Sequence, residues 1–133
     1  MRMQKFLAFL LFFLPLQALA AENLTQQDYD GNWNSNFAAV KNEKQVLKIS
    51  LSGESVFERH FENSSSQKLS TSEFDFLDDL LVFTFTSPDN VFSYKLALSG
   101  WKSRSKKVLS GSMFMYRNGI QFNMLPVSYE QAN

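Results

Sequence analysis

Cysteine is absent from this chain of 133 residues, and histidine occurs once, as His60. Without cysteine no disulfide can staple the fold, so its core rests on apolar packing alone. The same absence excludes a lipid anchor on a cysteine behind a leader. With one histidine, a zinc site lacks its usual ligands, and Asp78-Asp79 lacks the spaced oxygen ligands of a calcium loop. No metal or cofactor is expected. No glycine-rich segment has the form of a phosphate cradle. Net charge is missing too, with 13 basic side chains against 13 acidic ones, which argues against nucleic acid as a partner. No local motif marks a Ser or Cys nucleophile, and a Ser-His-Asp set would have to be assembled in space around His60. The chain reads as non-catalytic.

Long apolar runs are also lacking, save one. Met1-Arg2-Met3-Gln4-Lys5 is a short positive leader, Phe6 to Leu16 is an almost unbroken apolar run, and Ala18-Leu19-Ala20 is a small-x-small cleavage pattern. This order of parts predicts a signal peptide over residues 1–20 and a single domain over 21–133. The run is shorter than the ~20 residues a membrane helix needs, so the expectation is an exported protein, periplasmic or secreted, and not a transmembrane one. Arg2 and Lys5 leave with the leader, so acid then exceeds base by two. Of the 14 phenylalanines only Phe6, Phe9, Phe12 and Phe13 go with it, and the rest are available for a core.

What is present is period-two alternation, again and again, with almost no helical periodicity. Leu47, Ile49 and Leu51 alternate with polar residues, as do Phe57, Arg59 and Phe61; so do Phe74 and Phe76, then Leu81, Phe83 and Phe85, then Phe92, Tyr94, Leu96 and Leu98. Ser87-Pro88-Asp89-Asn90 is a turn cluster, and Leu77-Asp78-Asp79-Leu80 reads as a turn. Asn118-Gly119 between two strand-like runs is a strong hairpin signal. As a two-residue loop it sets Met115 opposite Phe122 and Met113 opposite Met124, all four on one face. The pattern predicts about eight strands, near 31–38, 45–52, 55–62, 68–76, 80–87, 91–99, 107–116 and 119–129. Short connections favour an up-and-down order. The expected fold is all-β, a single antiparallel up-and-down barrel of about eight strands, with a β-sandwich as the alternative.

Tyr29-Asp30-Gly31-Asn32-Trp33 resembles the Tyr-x-Gly-x-Trp opening of the lipocalins, and Gly-x-Trp also opens strand one in avidin-like and fatty-acid-binding barrels. The segment from Leu109 to Tyr129 resembles the last hairpin of many small exported bacterial barrels. The resemblance implies a small calycin-like barrel in which Trp33 plugs the closed end and Gly31 lets the chain turn into the first strand. It does not carry an activity with it. Bacterial metalloprotease inhibitors on a similar barrel send an N-terminal strand into the protease cleft. This chain shares their exported Gly-x-Trp start but not their disulfide.

Two sets of residues stand out as binding candidates. If Phe57 and Phe61 face inward, strict alternation turns Arg59 inward as well. A buried guanidinium costs several kcal/mol unless paired, so Arg59 needs a carboxylate or an anionic ligand, with Tyr94 able to add a hydroxyl. The other readings are a bulge that turns Arg59 out, or a guanidinium at the barrel mouth with its head in water. Trp101, Lys102, Arg104, Lys106 and Lys107 form a basic connection suited to anionic lipid, glycan or an acidic protein surface, with Trp101 as an amphipathic anchor, or a solvated tip. The segment Ala21 to Asp28 is polar and expected to be loose. The expected function is thus an exported binding protein carrying a small apolar or amphipathic ligand, with Arg59 and Tyr94 at its polar end. The alternative is a protein-interaction module, such as a periplasmic inhibitor or envelope factor, acting through its loops.

Overall fold

A computed structural model describes residues 22–37 and 42–132. The predicted leader lies outside the described residues. The order is β1 (Glu22–Asn23), a short 3-10 turn (Gln26–Tyr29), β2 (Gly31–Phe37), β3 (Glu43–Ile49), β4 (Ser55–Phe61), β5 (Gln67–Thr71), β6 (Phe74–Leu77), β7 (Leu80–Thr86), β8 (Phe92–Ser103), β9 (Lys106–Arg117) and β10 (Ile120–Gln131). All pairings are antiparallel, in the order β5-β4-β3-β2-β10-β9-β8-β7-β6, with β1 added to β8. The protein is all-β, as the alternation predicts, and from β2 to β10 consecutive strands are neighbours except at the β5–β6 break, the up-and-down order expected from the short connections.

One expectation about this sheet changes. The ladder does not close into a barrel: β5 and β6 are its two ends, and no ladder joins them. The stretch read as one strand over 68–76 breaks at Ser72-Glu73, where the Glu73 N–H donates to Thr71 Oγ1 (3.2 Å) instead of entering a ladder. Its first half pairs with β4 and its second with β7. The sheet therefore rolls over a single core with its two edges on successive pieces of chain. Phe57 of β4 and Phe85 of β7 meet across that core with ring centroids 5.5 Å apart.

Alternation delivers the core. In β3, β4 and β8 the buried positions fall at every second residue, and in β7 they do so except for Val82, which is buried as well; this puts Leu47, Ile49, Phe57, Phe83, Phe85, Leu96 and Leu98 in one cluster. Each such side chain contributes about 1.5–3 kcal/mol. Phe74 and Phe76 pack on the cluster half-buried. The inner face also needs room where strands cross closely: a Cβ on Gly111 would overlap the backbone carbonyl of Ala97.

The Asn118-Gly119 hairpin forms, but with a different register. Ile120 opposes Arg117 as expected, yet Met115 opposes Asn123 and Met113 opposes Leu125, because a bulge between Gln121 and Asn123 inserts Phe122. One extra residue exchanges the faces of everything beyond it. Met113 and Met115 stay buried, whereas Phe122 and Met124 are exposed. The N-terminal segment also departs from expectation. It is docked, because β8 runs past the start of β7 and would leave a bare edge. Asn23 pairs with Trp101, Glu22 with Lys102, and the Leu24 N–H donates to the Gly100 carbonyl (3.2 Å).

Candidate functional site

The registers define two ends of the rolled sheet. At one lie the 3-10 turn, β1, Trp33 and the β8–β9 turn. At the other lie the start of β3, the end of β4, the start of β8 and the β9–β10 turn; this is the open rim.

At the first end, Trp33 is fully buried and its indole N–H donates to the Tyr29 carbonyl (2.9 Å). Gly31 has φ +135°, a conformation side chains resist. The pair thus sits where β2 enters the core. The basic segment is here too, but it is not a connection. β8 runs to Ser103 and β9 starts at Lys106, so only Arg104-Ser105 make the turn, with Arg104 at φ 57°. Trp101 pairs with Val108 and Lys102 with Lys107. Both of these lysines reach Asp28: Lys107 Nζ at 3.1 Å from Oδ1 and Lys102 Nζ at 3.5 Å from Oδ2. Asp28 also accepts from the Thr25 N–H and hydroxyl, each 2.9 Å. These bonds, the Thr25 N–H first, hold its carboxyl well below the usual carboxylate range. Lys106 is 3.6 Å from Glu130 across an exposed pair. Two of the four basic residues are therefore committed to fixing the arm.

At the rim, strict alternation holds and Arg59 is buried, 7% exposed. The structure brings it together with Tyr94, whose ring centroid lies 5.1 Å from the guanidinium; Phe61 sits at the same distance. Its charge is already matched. Arg59 Nε donates to Glu43 Oε1 (2.6 Å) and Nη2 lies 2.5 Å from the same oxygen. Gln45 Nε2 donates to Glu43 Oε2 (2.9 Å), and the Tyr129 hydroxyl donates to Gln45 Oε1 (2.5 Å). Burial pushes the Tyr129 phenol far above its ordinary value, and the Glu43 carboxylate pushes it further, so this hydroxyl remains a donor. No buried side-chain nitrogen or oxygen among the described residues lacks a partner. Glu43, Gln45 and Tyr129 escaped the sequence reading. Their signal was parity: Glu43 and Gln45 fall on the same alternation as Leu47 and Ile49.

Outside this row the rim opens into a shallow depression of about 680 Å³, lined among others by Asn36, Asn42, Glu43, Lys44, His60 and Phe61. On the outer face His60 bonds Ser66 Oγ through Nδ1 (2.9 Å) and Glu58 through Nε2 (3.0 Å). These groups form a surface hydrogen-bond row. Ser66 is exposed, and water competes for each contact. At the start of β10, Ile120, Phe122 and Met124 stand 73%, 53% and 54% exposed. Among the described residues no cluster of His, Asp and Glu could hold a metal ion, and no helix is long and apolar enough to cross a membrane. A scan of protein-family models, and searches of curated proteins and of solved structures, found no match to the chain.

Proposed function

We propose that this is a non-catalytic binding protein that works through its open rim, with a protein of the cell envelope as partner rather than a ligand held inside. One observation carries the reading. Arg59, the residue that would anchor an anionic ligand, is closed off by Glu43, while large apolar side chains are displayed at the rim outside it. The interior supports the same view, since Phe57, Phe83, Phe85, Leu96 and Met113 occupy it with almost no exposure. The calycin-like relationship and export to the periplasm or medium are part of this proposal, supported by Gly31, Trp33 and the leader-like segment. Native mass spectrometry of protein from its own host, with titration of a fluorescent fatty-acid probe, tests it. The bare chain mass and no probe binding are expected; a retained lipid would overturn the reading in favour of a carrier.

A further inference from the structure

Among the described residues the outer edge of β10 is used only in part. β2 pairs with it at Ser128 to Gln131. Among the described residues nothing pairs with that side from Ile120 to Val127. Exposed edges are normally blunted by short length, charge or proline. The two ends of the sheet follow that rule: β5 is five residues with Lys68, and β6 is four with Asp75. The β10 edge does not. From Asn118 to Tyr129 the chain has no charged residue, and proline appears only at Pro126, after the run Ile-Gln-Phe-Asn-Met-Leu. Within that run Ile120, Phe122 and Met124 are more than half exposed. The Met124 N–H donates to the Asn123 side chain (2.9 Å), a local bond that the carbonyl of an incoming strand would replace.

We propose that the Ile120–Leu125 edge of β10 pairs antiparallel with the same edge of a second copy of this chain, forming a two-fold dimer. An uncharged edge selects an uncharged one, and its own copy meets it with no like charges opposed. A two-fold axis also sets the edges antiparallel, as the ladder requires, and buries Ile120, Phe122 and Met124 from both copies. Pro126, with no N–H, ends the paired stretch. The proposal rests on the reading of the rim as a binding surface, and names its occupant.

Sedimentation of the purified protein across a concentration series tests it. A monomer–dimer equilibrium is expected for the native chain, with association weakened about tenfold or more in Phe122→Lys and in Phe122→Glu. Mixing those two variants should restore a dimer, which shows that neither has simply failed to fold. A native chain that stays monomeric overturns the dimer, as does a dimer indifferent to both substitutions. A photo-crosslinker at Phe122, used in the host, separates the two claims. Capture of a second copy supports the dimer, and capture only of another envelope protein overturns it while leaving the rim as a binding surface. A silent crosslinker on a monomeric chain removes both.

Discussion

Removing the Glu43 carboxylate tests the claim that Arg59 is a paired structural charge. Arg59 and Glu43 are 7% and 5% exposed, and two guanidinium nitrogens lie 2.5–2.6 Å from one carboxylate oxygen. With charge centres about 4 Å apart and an effective dielectric of about 20, their attraction is about 4 kcal/mol. That agrees with the roughly 3–5 kcal/mol lost when one partner of a buried pair is deleted. Against a total stability of about 5–15 kcal/mol, Glu43→Leu should remove about a fifth or more. At about 1–3 kcal/mol per molar urea, the urea midpoint should fall by about 2 M. Arg59→Met should cost less, because Gln45 still donates to the carboxylate left behind. The double variant should cost at least about 2 kcal/mol less than the two single losses together. Additive losses, or a Glu43→Leu midpoint within about 0.3 M of the native one, would show that the two charges do not support each other.

Gly111→Ala should abolish soluble expression or cost more than Gly100→Ala. The first collides with the backbone carbonyl of Ala97, the second only with the ends of Leu24 and Leu109; a Gly100→Ala loss of about 1–3 kcal/mol in urea is expected. Asp28→Asn should cost about 1–2 kcal/mol and speed hydrogen exchange at the Leu24 amide, which otherwise bonds Gly100. Because the folded-state pKa of Asp28 is depressed, its contribution is fully present above its unfolded value of about 3.9 and is lost only as pH falls through the lower folded one. Protection of that amide should therefore hold from neutral pH to about pH 4. Charge reversal at Lys102 and Lys107 should free the arm, whereas reversal at Arg104 and Lys106 should leave melting unchanged within about 0.5 kcal/mol.

The strands and the inward residues were legible wherever one face is apolar. Leu47, Phe57, Phe83 and Leu96 announce their faces by period two, and Arg59 could be placed by its neighbours alone. Glu43 could not. The predicted strand began at residue 45, because a polar residue at the start of a run looks like the connection before it. Only the ladder that sets Gln45 opposite Arg59 and Glu43 opposite Phe61 brings the carboxylate to the guanidinium. The bulge at Phe122 was equally hidden. An Asn-Gly turn specifies its own geometry but not where the next strand gains a residue, and that single residue decides which of Phe122 and Leu125 faces inward. The break at Ser72-Glu73 is of the same kind, a local hydrogen bond that competes with a ladder. The arm was misread because its partner, the overhang of β8, depends on the different lengths of β7 and β8.

Those unequal lengths explain why the two ends of the sheet differ. β8, β9 and β10 are 12 residues each, while β2, β3, β4 and β7 are seven. Long strands beside short ones must overhang, and an overhang exposes backbone groups that seek a partner. At the Trp33 end the chain supplies that partner itself. β1 lies along β8, Leu24 sits over Gly100, and Asp28 ties Lys102 to Lys107. At the rim no described segment does the same for β10 between Ile120 and Val127, although the apolar side chains there make the exposure more costly. Among the described residues the arm covers one overhang while nothing covers the more apolar one, and this asymmetry supports the proposal that binding takes place at the rim.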